Sequence, residues 1–349
     1  MLNILNLPMR EIELADPFFD SLRADYVGFD NWYMKKAHQN EMALVSYDER
    51  GMLQAFLYTK VEEGSVTDVV PPLNTLRYLK VGTMKVNAHG TKLGEHFLKQ
   101  IFDRAKKHQV DAIYVTIFPK HAALCGLFMR YGFQYAADKM GEKVYVRLLL
   151  NNTGDVLKDF PVVRPRGKKI FILGIKPEYH TRLFAESILN NERADMLEDV
   201  SYTNSIHKTY LAFFRSMYPN MFATGDILVI YRTTDEPKRA WFRSVVTSVC
   251  VVESMKSRHQ FANYGDFVHY CGPYTVFNKR ELDYCWGRND MHAIRMLYNI
   301  PLQRRLTRQT LIEEVGIDSR AYAALLEISE AQLQEILRLG EVDESIVIY

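Results

Sequence analysis

Residues 83–102, TMKVNAHGTKLGEHFLKQIF, constrain this chain more than any other stretch. Thr83 to Val86 reads as a short strand. His89, Gly90, Thr91, Lys92 and Gly94 make a glycine-bearing turn, and a helix follows. Phe97, Leu98, Ile101, Phe102 and Ala105 recur at helical spacing and form one apolar face. A strand that enters a helix through a glycine turn aims several free backbone N–H groups at one point, where the positive end of the helix dipole also falls. Such a joint is a seat for a phosphate or pyrophosphate, and Lys92 and His89 add side-chain donors. The same joint also occurs in chains where it binds nothing, so its meaning depends on what surrounds it.

Residues 111–133, DAIYVTIFPKHAALCGLFMRYGF, supply that context. They read as an apolar strand from Ala112 to Phe118, a proline turn, a helix from about His121 to Arg130, and the ending Tyr131-Gly132-Phe133. Together the two segments resemble the GNAT family of N-acetyltransferases, and the resemblance covers residues 1 to about 150. The order of elements agrees: a first strand, helical matter around 17–39, a hairpin at 42–60, then the two strand–helix pairs. The family's acetyl-CoA loop has the form Arg/Gln-x-x-Gly-x-Gly/Ala, and His89, Lys92 and Gly94 stand at its fixed positions.

The resemblance implies a mixed sheet with flanking helices and acetyl-CoA as co-substrate. Its pyrophosphate would lie on the amides of His89, Gly90, Thr91, Lys92, Leu93 and Gly94. Its pantetheine would pair with the backbone of Met84 and Val86. A splay between the Thr83–Val86 and Ala112–Phe118 strands would admit the thioester, and one N–H from the Met84–Val86 stretch would hold the oxyanion. The chain departs from the pattern in four places. The first loop glycine is Lys92 and the loop Arg/Gln is His89. Many members carry an Asn at the start of the later helix and a Tyr seven residues on that protonates the CoA thiolate. Those positions are His121 and Phe128 here, and Phe128 has no proton to give. Tyr131, His121 and Cys125 are the neighbouring alternatives, with water as another. His121 is the first candidate for catalytic base, although it also reads as a surface residue at a helix start. Tyr131 ranks second, because that position is usually core in this motif.

The chain has 349 residues, enough for two domains that each bury a core. No apolar run reaches the roughly 18 to 20 residues of a membrane span, so no membrane partner is expected. The opening MLNILNLPMREIELAD lacks a basic region and a small-residue cleavage site, so no secretory leader is expected. Cys125, Cys250, Cys271 and Cys285 are far apart and show no zinc spacing. Free thiols in a reducing cytoplasm, and no metal, are the reading.

The pattern changes after Asn151-Asn152-Thr153-Gly154 and the basic connector VVRPRGKKI, 162–170. The expected organisation is a GNAT domain at 1–150, a linker at 151–168, a second domain at 169–305 and an acidic helical tail at 306–349. KIFILGI (169–175), GDILVIYRT (225–233) and RSVVTSVCVVESM (243–255) read as strands, and FVHYCGPYTVF (267–277) as another. EYHTRLFAESIL (178–189) and NSIHKTYLAFFRSM (204–217) read as helices. In the second of these, Ile206, Tyr210, Leu211, Phe213 and Phe214 make the apolar face. Strands interleaved with helices predict a small curved sheet or barrel. Over about 168–290 this half resembles the PUA-like superfamily, above all its ASCH and EVE branches, through Gly225-Asp226-Ile227-Leu228 opening a strand. Asp226 also reads as an ordinary turn residue. The resemblance implies a cleft for RNA, a modified base or a nucleotide.

Residues 151–310 carry 23 Lys and Arg against 16 Asp and Glu, whereas residues 311–349 carry 2 against 9. A basic middle suits phosphates, and a solvated surface would also account for it. Tyr179, His180, Ser205, Lys208, Tyr231 and Arg232 are the candidate nucleic-acid contacts, the tyrosines by stacking and the cations on phosphate. Asn204 or Ser205 also reads as a helix N-cap. The tail shows three short helical periods, around Leu311, Tyr322 and Leu333. They are read as a packing appendage or as the surface for a protein partner or a second copy.

The fold class is therefore α+β or α/β in two domains: a GNAT mixed sheet, then a PUA-like barrel with a short helical tail. The function expected is acetyl-CoA-dependent N-acyl transfer to an amine on or attached to nucleic acid, RNA before DNA, in the manner of toxins that acetylate aminoacyl-tRNA. Two alternatives stand beside it. One is a CoA-binding reader of modified nucleic acid without enzymatic activity, and the other is an acetyltransferase for protein or small-molecule amines.

Overall fold

The computed structural model describes residues 4–87, 92–184, 205–214, 221–234, 240–320 and 325–349. The chain divides into two units, Met1–Leu149 and Leu150–Tyr349. Each is built on a mixed sheet with flanking helices.

In the first unit the strands are β1 (Ile4–Pro8), β2 (Met42–Tyr47), β3 (Leu53–Val66), β4 (Leu73–Val86), β5 (Ala112–Ile117), β6 (Gln134–Lys139) and β7 (Glu142–Leu148). Their order across the sheet is β1-β2-β3-β4-β5-β7-β6. Helices α1 (Asp20–Asp25) and α2 (Phe29–His38) precede β2, α3 (Leu93–Lys107) joins β4 to β5, and α4 (Ala122–Arg130) joins β5 to β6. β4 and β5 run parallel. A parallel pair needs a crossover, and α3 provides it. The α3 face read from the sequence is the one that is buried: Phe97, Leu98, Ile101, Phe102 and Ala105 are all core. Phe18, Phe19, Phe29 and Tyr33 from the α1–α2 region form another core with Phe56 and Tyr58 of β3. Aromatic rings fill it, with Phe19 edge-on to Phe56 at 5.4 Å.

The parallel pairing is short. It runs from Tyr78–Val81 on β4 to Ala112–Val115 on β5 and stops there. Gly82 is the extra residue of a bulge: Tyr58 of β3 faces Thr83, and Thr59 faces Val81. Only glycine fits, because a Cβ at 82 would lie 2.8 Å from Tyr58 Cδ1. β5 meanwhile continues against β7, with Thr116 opposite Val144 and Ile117 opposite Lys143. The two parallel strands therefore part after Val81 and Val115.

The second unit holds β8 (Ile170–Ile175), β9 (His207–Phe213), β10 (Ile227–Arg232), β11 (Val245–Ser257), β12 (Met291–Thr307) and β13 (Leu325–Ile328), in the order β13-β8-β10-β11-β12-β9. β8 and β10 are parallel. β11 and β12 are long and shift register at three places, which bends them. No β13–β9 pairing closes the sheet among the described residues. Helices α5 (Val156–Asp159) and α6 (Pro177–Leu183) flank β8 in sequence.

Three local readings change. Residues 207–213 form strand β9, not a helix, and six of its seven residues are buried. A run buried on both faces carries no periodicity, so helix and strand look alike in sequence. Ser205 is consequently no helix cap, and Lys208 lies in a strand rather than a first helical turn. Tyr264–Cys271 is a helix where a strand was expected, capped by the Asn263 side chain on the Asp266 N–H. Phe267, Tyr270 and Cys271, its buried residues, follow i, i+3, i+4. In the tail, Leu325–Ile328 is a strand, β13, paired antiparallel with β8. Tyr322 lies outside the described residues.

The tail is also no appendage. Leu333, Ile336 and Leu337 of the helix Glu330–Leu339 are fully buried with Ile300, Leu302 and Leu306 of β12. The stretch expected to be a linker belongs to the same unit: Val163 pairs with Val347, and Ile348 N–H donates to the Val163 carbonyl at 2.9 Å. Gly340 closes the packing, since a Cβ there would sit 2.7 Å from Leu302 Cδ2 and 2.9 Å from the Ile336 carbonyl. Gly340→Ala is expected to destabilise this unit by about 1–3 kcal/mol. Gly287→Ala, which meets only backbone oxygen at 3.5 Å, is expected to change stability by less than about 0.5 kcal/mol. Chemical denaturation of the full chain measures both.

Candidate functional site

The parting of β4 and β5 leaves a stretch of β4, Gly82 to Val86, with β3 on one side and no β5 partner on the other. Its outward backbone groups form an edge to which an extended molecule can add as a strand. Met84 is buried and Val86 partly so. At the end of this edge α3 begins. Lys92 is its N-cap residue and makes no side-chain cap. Leu93 is buried. A Cβ on Gly94 would meet Leu127 Cδ2 of α4 at 3.2 Å, so glycine lets the start of α3 approach α4 closely. Glu95, in the first turn, is buried between Lys92 Nζ at 4.0 Å and Arg130 Nη1 at 3.4 Å. The three expected cofactor contacts His89, Gly90 and Thr91 lie outside the described residues.

The α1–α2 face of the same opening is lined by polar groups that the sequence did not assemble. His121 is the N-cap residue of α4 and is well exposed. Its Nε2 lies 2.7 Å from Asp25 Oδ2 at the end of α1. Lys120 also donates to Asp25. Burial pushes the Asp25 carboxyl up, but the hydrogen bonds and charges of Lys120 and His121 outweigh it and hold the group below the usual carboxylate range. A dyad results: an imidazole held by an ionised carboxylate, with its other face open. Next to Asp25, Tyr26 donates to Glu142 Oε1 at 2.7 Å and packs on Phe118 at 5.3 Å. Burial, then the bond to Glu142, raises the Tyr26 phenol, so it stays protonated.

Lys85 sits on the open stretch of β4 opposite Phe56, and strand alternation turns it to the same α1–α2 face. It donates to the Phe18 carbonyl and lies 4.5 Å from the centre of the Phe18 ring. Burial lowers its pKa, with Asp20, Asp16 and Asp25 opposing from a distance.

Phe128 and Tyr131 are both removed from this chemistry. Phe128 is fully buried, edge-on to Phe133 at 4.8 Å. Tyr131 is fully buried against Phe102, and its carbonyl accepts from Arg147 Nε at 2.9 Å. Of the two catalytic candidates, the structure leaves only His121 at the opening.

In the second unit the structure brings three of the six expected contacts, His180, Lys208 and Arg232, near one another and adds two residues, Thr247 and Arg305. His180 is fully buried, with Nε2 2.7 Å from Thr247 Oγ1. Burial, then the charges of Arg232 and Arg305, push its imidazole down to about 3. Lys208 is fully buried, its ammonium 5.9 Å from the Phe184 ring centre and 5.5 Å from that of Tyr298. Phe184 lies 5.3 Å from His180, so Lys208 and His180 share one interior, which the charges of the partly buried Arg232 and Arg305 also reach. Ser205 is buried nearby in sequence and donates to the His207 carbonyl at 2.6 Å. Tyr231 is buried but packs into the other core, with Ile172 and Leu311. Tyr179 is partly buried and stacks one face on Phe277 at 4.4 Å. Thr247 and Arg305 were missed in sequence. Each lies in a long apolar or basic strand run, and nothing local distinguishes it.

No protein-family model matches the sequence, and no curated protein matches it. Solved structures do. An ASCH protein from Zymomonas mobilis is similar at 15% identity, with 52% of this chain and 99% of that one covered and a TM-score of 0.34. A GNAT superfamily phosphinothricin acetyltransferase from Sinorhizobium meliloti, in complex with AcCoA, is similar at 12% identity, with 45% and 92% covered and a TM-score of 0.33. The similar structures include two variants of the same Zymomonas mobilis ASCH protein, each covering 49% of this chain, and two acyltransferase structures, each covering 43% of it.

The buried His180 has a pH consequence. Its folded value is depressed below the ordinary 6.5. Its stabilising effect is complete above about pH 6.5 and is lost as pH falls toward the folded value, because the unfolded chain then binds the extra proton. Between about pH 7.5 and pH 5 this removes roughly 2 kcal/mol from the second unit. Denaturation midpoints across that range are expected to fall in the native protein, and His180→Gln is expected to flatten the dependence.

Proposed function

We propose that the chain is an acyl-CoA-dependent N-acyltransferase whose acceptor amine is carried on, or attached to, RNA. The observation that carries this reading is the parting of β4 and β5 beside the start of α3. An open strand edge suits the amide-bearing pantetheine arm of CoA, and the helix start suits its pyrophosphate. On this reading Met84 and Val86 pair with the arm, while Lys92, Leu93 and Gly94 border the pyrophosphate seat, together with His89, Gly90 and Thr91.

The chemistry follows from what lines the α1–α2 face. The acceptor nitrogen attacks the thioester carbonyl, and the backbone N–H groups of the open edge stabilise the oxyanion. His121 takes the proton that the attacking nitrogen loses, and Asp25 keeps the imidazole oriented with its second nitrogen free. Phe128 donates nothing, so the departing thiolate takes its proton from water. Tyr26, kept protonated with its proton donated to Glu142, is not a base here.

The second unit supports an acceptor of anionic character. Lys208, Arg232 and Arg305 bring positive charge to one interior with the neutral His180 and the Thr247 hydroxyl. Phosphate or a polar base edge is the chemistry such a set recognises. The placement of the protein in the cytoplasm belongs to this reading, since charged RNA acceptors are found there.

A second reading keeps the CoA site and drops the turnover. Full burial of Phe128 and Tyr131 favours it, because neither can supply the missing acid. The two readings separate in one experiment. Radiolabelled acetyl-CoA is incubated with the protein and total RNA, and label is followed into RNA and protein. The transferase predicts label in RNA, and retention of RNA by the protein that weakens steeply with added salt. His121→Ala is expected to lower kcat by about 10² to 10⁴ with acetyl-CoA affinity kept, and Asp25→Asn to lower it less. Acetyl-CoA binding with no transfer to RNA, protein or small amines would favour the reader, and label in protein or small amines alone would shift the acceptor away from RNA.

A further inference from the structure

Lys85 is a lysine that the fold brings to the open edge of the transfer site, apart from Lys120, which is bonded to Asp25. It belongs to the stretch Gly82–Val86 that β5 has left, so the main chain on either side of it is the edge a thioester arm would pair with. Strand alternation turns its side chain to the α1–α2 face, the face of Asp25 and His121. Its amine is held by the Phe18 carbonyl and ring, and no carboxylate bonds it directly among the described contacts. Asp16, Asp20 and Asp25 act on it only through space, and burial outweighs them. A lysine held this way has a larger neutral, nucleophilic fraction than an ordinary one; Lys60, in an exposed ion pair with Glu62, is the comparison.

We propose that Lys85 is an acyl acceptor: the first unit transfers an acyl group from acyl-CoA to the Lys85 amine of its own chain. The inference rests on the acyl-CoA reading above and adds a modification site to it. The Lys85 Nζ lone pair attacks the thioester carbonyl carbon and a C–N bond forms. The C–S bond breaks with its electron pair going to sulfur. One amine proton leaves nitrogen for the His121–Asp25 pair, and the CoA thiolate takes up one proton from water, so acyl thioester and amine become amide and free thiol. The product amide is neutral. It gives up the ammonium contact with the Phe18 ring and leaves an acyl chain on the face where an external amine must approach, so a modified molecule is a slower transferase.

The test uses the full native chain with acetyl-CoA and no added acceptor, followed by peptide mass analysis. The expected result is acetylation of Lys85 at least about tenfold faster than of Lys60, at a rate independent of protein concentration. The preference for Lys85 should vanish in the urea-unfolded chain and slow sharply in His121→Ala. Binding of acetyl-CoA is measured in parallel by calorimetry. If acetyl-CoA binds but Lys85 is labelled no faster than Lys60, the self-acylation is wrong while the acyl-CoA reading stands. If labelling scales with protein concentration, transfer within one chain is wrong. If acetyl-CoA does not bind at all, both fall together.

Discussion

The first unit depends on a strand pair that stops early. β4 and β5 share only Tyr78–Val81 and Ala112–Val115, and then β4 turns at the Gly82 bulge while β5 stays with β7. Every unpaired peptide group costs free energy if it is buried without a partner. The sheet tolerates this edge because it opens to the surface on the α1–α2 face, where Lys85 and Thr83 are only partly buried. Tyr58 enforces the bend: its ring occupies the space a side chain at 82 would need. Sterics at one residue thus decide where backbone is left available for a ligand.

The second unit uses a different physical device. It sets cations inside rather than at an edge. Lys208 over Phe184 and Tyr298 recovers from the ring faces part of what it loses in water. His180 avoids the problem by remaining neutral, and it keeps Thr247 as its partner. Arg232 and Arg305 raise the local potential enough to oppose any further protonation. Such an interior favours anions over cations strongly, because the low dielectric that penalises like charges strengthens unlike ones.

Much of this was legible in the amino-acid order, and the failures have identifiable causes. The helix of residues 93–107 was readable because one face is apolar and the other carries Lys and Arg, and the parallel strands because each precedes such a helix. Residues 207–213 were not, because His, Lys and Thr in that run are all buried and erase the amphipathic signal. Leu325–Ile328 reads like its helical neighbours until β8 takes it into the sheet. The dyad was half legible. His121 stood out at a helix start, but its partner Asp25 is 96 residues away, and nothing in the intervening sequence links them. Gly82 and Lys85 were hidden for another reason: their meaning lies in where a neighbouring strand ends.

The Val163–Val347 pairing bears on the order in which the molecule is made. All strands of the first sheet lie before residue 149, so that sheet is complete as soon as its own residues have been synthesised. The second unit cannot join its two ends until residue 348 exists, because Ile348 and Ile346 are the backbone partners of Val163. At about 5 to 20 residues per second, translation of the intervening stretch takes roughly 10 to 40 s. During that interval a finished first unit coexists with an unfinished second one, and from Thr307, the end of β12, until Leu339 the long, bent β11 and β12 lack the helix that covers them. A nascent chain of this protein therefore exposes an apolar sheet during a short, late part of its synthesis, and that interval is when it has most need of a chaperone.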